Sequence, residues 1–296
     1  MYKFILYSSY LSFPFILLIF FLIFRKRDEK IKRKISIPFL IILLTGALIF
    51  VYSRFIERNI ILENTTKIKT GFSLKLAVIS DIHLGVYKDQ HFLKRVVEKI
   101  NNIKNLDAVL IPGDFTYYPE TNLKELFAPL KDLKTPVYAV LGNHDVGHPG
   151  PDIEDELERV LKSFNVIFLD NTEATIKSKK GDVKILGLGD NWDRNDDISK
   201  IDKFTTGDNL IIITHNPDTF AKYNKEIADL TVSGHTHGGQ VRIPFLYKRM
   251  IPCKNDYDRG LYKEKNGKLF VTSGVGEVGL PIRLFNPPVI DVLEMY

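Results

Sequence analysis

The chain has 296 residues, 45% hydrophobic and 26% charged, enough to bury the core of one large domain or two small ones. Its formal charge of +5 is local: residues 1–58 hold ten Lys/Arg and three Asp/Glu, while residues 59–296 keep 31 of the 41 basic and 33 of the 36 acidic groups, a balance of −2 that excludes a dedicated nucleic-acid binder. The single cysteine, Cys253, excludes an intrachain disulfide and a cysteine-based zinc site.

Residues 4–24 are uncharged and mostly apolar, about the ~20 residues that a bilayer core requires. Ser8, Ser9, Ser12 and Pro14 interrupt them tolerably. Residues 35–55 form a second such stretch, with Arg54 as its only charge. A signal peptide is the plain alternative for the first stretch, but no small-residue cleavage site follows and a second apolar run does. A buried helical hairpin is the other alternative, and both stretches are apolar on all faces. The intervening residues 25–34 carry seven Lys/Arg. Short loops of that kind stay cytoplasmic, which places both termini and the domain that follows on the outer face of the membrane. The expected organisation is a transmembrane hairpin over 1–58, a polar linker over 59–71 and a catalytic domain over 72–296.

In the domain, apolar β-rich runs over 74–80, 108–111, 137–141 and 166–169 alternate with helical spacing over 91–102, 122–131 and 153–163. Further strands are expected over 183–188, 210–214, 230–232 and 269–272, with a helix over 216–227. This alternation predicts an α/β fold with mostly parallel strands.

Five motifs follow strand-like runs: Asp81-Ile82-His83, Gly113-Asp114, Gly142-Asn143-His144-Asp145, Thr214-His215-Asn216 and Gly234-His235-Thr236-His237-Gly238-Gly239. Ligand sites in α/β sheets gather at strand C-termini, where loops converge on a rigid frame. Each motif alone has an ordinary reading: Asp81 as an N-cap, Gly113-Asp114 and Asn143-His144 as turns, His215 as a helix cap. Together they supply a mixed nitrogen and oxygen donor set without thiolate. Such a set suits two divalent ions, manganese first, with iron, zinc or magnesium as alternatives. Asp81/His83 and His235/His237 are spaced i, i+2, so each pair projects alike from an extended segment. Asp114 has two carboxylate oxygens and can bridge. Five of the seven histidines fall in the motifs; His91 and His148 read as surface residues.

On these motifs, residues 72–292 resemble the calcineurin-like metallophosphoesterase superfamily. They look nearest its membrane-associated bacterial branch of YkuE- and YaeI-type phosphodiesterases and the related UDP-2,3-diacylglucosamine pyrophosphatases. The runs 238–245 and 281–288 also look like that branch. The resemblance implies a four-layer α/β/β/α sandwich. It implies one metal on Asp81, His83, Asp114 and His237, and a second on Asp114, Asn143, His215 and His235. It further implies a bridging hydroxide as nucleophile and His144 as proton donor or transition-state stabiliser. Some members carry a carboxylate three residues after the bridging Asp, to orient the histidine; Tyr117 stands there in this chain, leaving Asp145 or nothing for that task.

The motifs give a reaction class, phosphodiester or pyrophosphate hydrolysis, with a broad phosphomonoesterase or a silent membrane sensor of phosphorylated ligands as alternatives. The hairpin points to a lipid-linked substrate. A UDP-2,3-diacylglucosamine-type substrate requires the cytoplasmic face, whereas an outer-face domain requires an outer-leaflet lipid, a teichoic-type polymer or a periplasmic diester. Residues 243–252, with Lys248 and Arg249, either dip into the membrane interface or form a core-packed β-hairpin. Trp192, in a polar loop, either stacks on a base or sugar or anchors the loop.

Overall fold

The computed structural model describes residues 1–25, 33–178, 181–223 and 226–296; most of the basic loop lies outside the described residues. The first apolar stretch is helical, as α1 (Tyr2–Ser8), a 3-10 turn (Ser9–Leu11) and α2 (Ser12–Arg25). The second is α3 (Arg33–Val51), continued by a π-turn (Tyr52–Ile56) and a 3-10 turn (Glu57–Asn59). Tyr2–Ile23 and Ile37–Asn59 are each long and apolar enough to cross a membrane. α2 packs along α3, yet Phe4, Leu17, Phe21, Phe39 and Ile42 are exposed. The hairpin is therefore not the buried core of a globular domain.

Strands follow in chain order as β1 (Leu62–Ile68), β2 (Leu74–Val78), β3 (Leu84–Gly85), β4 (Ala108–Pro112), β5 (Thr116–Tyr117), β6 (Val137–Val140) and β7 (Val166–Phe168). They continue as β8 (Glu173–Ile176), β9 (Val183–Gly187), β10 (Leu210–Ile213), β11 (Leu230–Ser233), β12 (Gly260–Glu264), β13 (Gly267–Val271) and β14 (Val289–Met295). Among the described residues they form a sheet β1-β14-β2-β4-β6-β7, a sheet β12-β13-β11-β10-β9-β8 and a small β3-β5 pair. The site-bearing neighbours β2-β4-β6 and β10-β11 pair in parallel, so their C-terminal loops share one edge.

The period of two along each strand divides its side chains between two cores. Leu76 and Val78 enter the core between the sheets, while Ala77 and Ile79 enter the core under the helices. In the other sheet, Ile211 and Ile213 face the first sheet; Leu210 and Ile212 face outward into a third cluster. The helix α4 (Gln90–Asn102) starts where the Asp89 carboxylate accepts from Phe92 N and buries Phe92, Leu93, Val96, Val97 and Ile100. The helix α6 (Glu154–Lys162) opens with three acids and closes with Arg159 and Lys162, in accord with its dipole. The outermost layer, over the third cluster, is made of 3-10 turns (Ile198–Lys203, Pro217–Lys222). This is the expected four-layer α/β arrangement, with turns where the last helical layer was expected.

Three expectations change. The helix expected over 216–227 is only the Pro217–Lys222 turn, after which Tyr223 is extended and its ring buried against Phe220. The helix expected over 122–131 splits into α5 (Leu123–Leu126) and a 3-10 turn (Ala128–Asp132), because Pro129 has no N–H to continue the ladder. The stretch expected as linker contains β1, paired in parallel with β14 from Leu62↔Val289 to Ile68↔Met295.

The hairpin is also built into the domain. The Tyr2 ring lies 5.2 Å from Tyr117 and 4.7 Å from Tyr118. Arg58 pairs with Glu277, whose second oxygen is 3.5 Å from Lys88 Nζ, and all three are buried. Glu57 Oε1 accepts from Asn286 N at 2.6 Å.

Candidate metal centre

Asp81 follows β2, Asp114 follows β4, Asn143 follows β6, His215 follows β10 and His235 follows β11, and all of these side chains are buried. The loops reach the centre through left-handed turns rather than extended exits. Asp81, His83, Asp114, His235 and His237 have φ of 50°, 50°, 55°, 70° and 50°. Such conformations cost of order 1–3 kcal/mol each for non-glycine residues and persist only where the surroundings impose them. Gly142 and Gly234 allow this crowding, since a Cβ at Gly142 would meet Asp114 and one at Gly234 would meet Ser80 and Asp81.

The side chains converge on Asp114. Its Oδ2 lies 3.4 Å from His83 Nε2 and 3.2 Å from His215 Nε2, between two donor groups. On one side His83 Nε2 is 3.1 Å from His237 Nε2, which is 3.4 Å from Asp81 Oδ1. On the other His215 Nε2 is 3.1 Å from both Asn143 Oδ1 and His235 Nδ1. Three sets, Asp81/His83/His237, Asp114/His215/His235 and His83/Asp114/His144, each bring their ligand atoms within 4.8 Å of one another.

The outer ring atoms fix the tautomers. His83 Nδ1 donates to Thr116 O (3.1 Å), His215 Nδ1 to Pro112 O (2.8 Å) and His235 Nε2 to Pro252 O (3.1 Å). Carbonyl oxygens only accept, so His83 Nε2, His215 Nε2 and His235 Nδ1 are the ring atoms left to face the cluster. His237 Nδ1 is buried without a partner among the described residues. Burial pushes His83 and His235 down to about 3 and His237 well below its usual value, which keeps those rings neutral. Burial pushes His215 down too, but the Asp114, Asp81 and Asp190 carboxylates outweigh it and raise it to about 10. Burial raises Asp81 to about 7; burial also opposes ionisation of Asp114, but the surrounding histidines hold it well below the usual range. Inward-facing ring nitrogens 3.1 Å apart around two buried carboxylates form a donor set that fits divalent cations.

His144 stands beside this cluster, its ring 4.9 Å from that of His83. Asp145 does not orient it. The Asp145 carboxylate accepts from Phe115 N, Thr116 N, Thr116 Oγ1 and Gly142 N, and so clamps the Asp114 loop to the Asn143 loop. His144 Nδ1 instead donates to Pro149 O (2.9 Å), and Tyr117 packs edge-on against its ring at 5.2 Å. A backbone carbonyl and an aromatic edge thus replace the carboxylate.

A cavity of about 610 Å³ lies over the cluster, lined by Asp114, Asn143, His144, His235 and His237 at its floor and by Val241, Ile243, Leu246, Met250, Leu280 and Ile282 around its wall. Trp192 is at its rim, half-exposed, with its ring 4.7 Å from that of His235. Lys248 and Arg249 are exposed and do not line it. The expected β-hairpin alternative for 243–252 does not form: Tyr247–Met250 is a 3-10 turn, and Phe245 is 94% and Met250 78% exposed. His91 and His148 are exposed, as expected.

Residues 74–239 match the model of the calcineurin-like phosphoesterase family. The chain belongs to this family. It is 33% identical over 232 residues to an uncharacterised metallophosphoesterase of Campylobacter jejuni, covering 75% of this chain and 59% of that one. It is 30% identical over 268 residues to the uncharacterised metallophosphoesterase YkuE of Bacillus subtilis (82% of this chain, 88% of that one). It is 25% identical over 227 residues to phosphodiesterase YaeI of Escherichia coli (75% and 82%). The chain spans about three-fifths of the length of the first of these relatives.

Sequence reasoning missed the residues that hold the candidate metal site from behind. Arg283, fully buried, donates to the carbonyls of Gly276, Ser273 and Asn286, and Asn286 Nδ2 donates to His237 O at 2.6 Å. Asp190 Oδ2 accepts from Trp192 N and Asp193 N and so sets the Trp192 loop. The run 281–288, singled out by resemblance, was the only signal for the first two.

Proposed function

We propose that this phosphoesterase is a membrane-anchored, two-metal phosphodiesterase or pyrophosphatase acting on a lipid-linked substrate, a nucleotide-sugar lipid of the UDP-2,3-diacylglucosamine type being one candidate. The observation that carries it is the convergence of six donor side chains on the two sides of Asp114 Oδ2. Asp81, His83 and His237 would hold one ion, Asn143, His215 and His235 the other, and Asp114 both. When bound, the ions would supply the positive charge that acidifies a water and offsets charge on the phosphoryl oxygens. Manganese is the first candidate, then iron, zinc or magnesium.

The chain's own groups do the rest. Pro149 O holds one proton of His144 on Nδ1, so Nε2 is the atom that must first take up a second proton, giving the imidazolium, and then pass it to the leaving oxygen. Trp192, edge-on to His235 at the rim, offers a face to the leaving portion of the substrate. Lys248 and Arg249, outside the cavity, are placed to meet membrane phosphates rather than the scissile one. The name phosphodiesterase, carried by the YaeI relative, favours a diester over a broad monoesterase. The intact donor set speaks against a silent sensor.

Two exposed apolar helices support the anchor, and the contact of Tyr2 with Tyr117 supports having the N-terminus and the domain on one side. With the basic loop cytoplasmic, that is the outer face; a nucleotide-sugar substrate would require the cytoplasmic one.

The test is hydrolysis of bis-p-nitrophenyl phosphate against the mono-ester by the full chain in detergent, metal-stripped and then given Mn²⁺. The wild type should prefer the diester. Asp114→Ala should lose both ions and activity; His144→Ala should keep both ions and lose 10²- to 10⁴-fold in kcat. Two bound ions with no hydrolysis would favour the sensor, and activity surviving Asp114→Ala would refute the two-metal reading.

A further inference from the structure

A second cavity, about 470 Å³, lies where the two apolar helices meet the domain. One wall is Ile5, Ser8, Ser12 and Phe15 on the first helix, another is Phe50 on the second, and its domain end is the loop Leu280-Pro281-Ile282. Leu280 and Ile282 also line the cavity over the metal centre, so the two cavities share a wall.

The serines make this a groove without making it polar. Residues 5, 8, 12 and 15 repeat on one helical face, and small side chains at 8 and 12 leave a furrow between larger ones. Ser8 Oγ donates to Ile5 O (3.2 Å) and Ser12 Oγ to Ser9 O (2.8 Å), so neither hydroxyl proton is left to face the furrow. Arg54 is the one charged residue among those lining it, and its Nε is tied to Ser9 Oγ (2.9 Å) with the guanidinium over the Phe55 ring. From Ile5 to Phe15 the furrow runs roughly 15 Å at ~1.5 Å per residue, half of the ~30 Å hydrocarbon core and so the depth of one leaflet. Beyond that shared wall the exposed Ile243, Leu246 and Met250 add further apolar surface to the cavity over the metal centre.

We propose that this furrow is a binding site for an acyl chain of a membrane phospholipid, which enters sideways from the leaflet next to the domain and delivers its phosphodiester over Leu280 and Ile282 to the metal centre. This rests on the phosphodiesterase reading given above, and it adds the route and the substrate class: a long-chain glycerophosphodiester taken from the bilayer, not a soluble one.

The test uses the full chain in nanodiscs of dioleoylphosphatidylglycerol containing a phosphatidylglycerol with a diazirine near the ester end of one acyl chain. Two readouts run in parallel: photolabelling of the peptide spanning residues 278–282, and hydrolysis of soluble bis-p-nitrophenyl phosphate. In the wild type that peptide should be labelled. Ser12→Trp, which plugs the furrow, should cut the labelling at least fivefold and leave soluble hydrolysis within twofold; Ser12→Ala should change neither. Ser8→Leu, a milder plug, serves should Ser12→Trp not fold. Absent labelling in the wild type, or labelling unchanged by both plugs, means that the loop meets bulk lipid only and overturns the proposal. Labelling that the plugs abolish, with no diester hydrolysed by the wild type, keeps the lipid site and sinks the phosphodiesterase reading instead.

Discussion

Arg58→Met tests how far the hairpin is part of the enzyme. Arg58 pairs with Glu277 and donates to Tyr87 O at 2.8 Å, and the Arg58, Glu277 and Lys88 side chains are 7%, 0% and 3% exposed. Neither Glu277 oxygen makes a well-directed hydrogen bond, so charge alone holds it. Removing one partner of a buried pair costs about 3–5 kcal/mol, because the other charge is stranded; here Lys88 remains 3.5 Å away and holds its proton more readily once the Arg58 charge is gone, which argues for the low end, about 3 kcal/mol. For a domain of this size that is roughly 6–12 °C in Tm. Scanning fluorimetry in detergent measures it, beside Lys162→Ala, which breaks an exposed pair and should shift Tm by under about 1 °C. In a Glu277→Gln background the loss should shrink by more than half, since no carboxylate is then stranded. A loss below about 1 kcal/mol for Arg58→Met, or an equal loss in both backgrounds, would refute the reasoning.

The segment 59–296 lacks Glu57, which fixes Asn286 N and through Asn286 the carbonyl of His237. Its Mn²⁺ affinity by calorimetry should be about tenfold weaker than that of the full chain, within the range that supporting residues of metal sites typically control. Burial lowers Lys88 to about 7, with Glu277 opposing, against an ordinary value of 10.5. Between these values the unfolded chain holds a proton that the native one lacks, so Lys88 favours the fold above 10.5 and loses that contribution as pH falls through about 7. Urea unfolding at pH 7.5 and 9.5 should show stability rising with pH, by at most about 1.4 kcal/mol per unit, and Lys88→Met should flatten the rise. Asp145→Asn replaces an acceptor of four hydrogen bonds by one that can satisfy about half of them, so kcat should drop with Asp114 and Asn143 displaced while His144 keeps its bond to Pro149 O. Chemical-shift changes confined to His144 in that variant would contradict the clamp.

The sequence alone determined the chemistry and the frame. Asp81, Asp114, Asn143, His215 and His235 each follow a run of apolar β-formers, and in a parallel sheet strand C-termini share an edge, so local pattern sufficed to assemble them. Long apolar runs likewise declared the two helices without any partner. Tertiary structure decided what depends on backbone or on distant pairs. The strand β1 reads Leu-Glu-Asn-Thr-Thr-Lys-Ile with its side chains mostly exposed, so it resembles a linker; it is held chiefly by a backbone ladder to β14, some 230 residues away, which side-chain periodicity does not encode, with Asn64 donating to Asp291 and Ile68 entering the core. The orienting of His144 by Pro149 O was hidden for the same reason, since every residue carries a carbonyl. The buried Arg58–Glu277–Lys88 group has no local signature in the sequence, because opposite charges become a core feature only when remote segments desolvate them together.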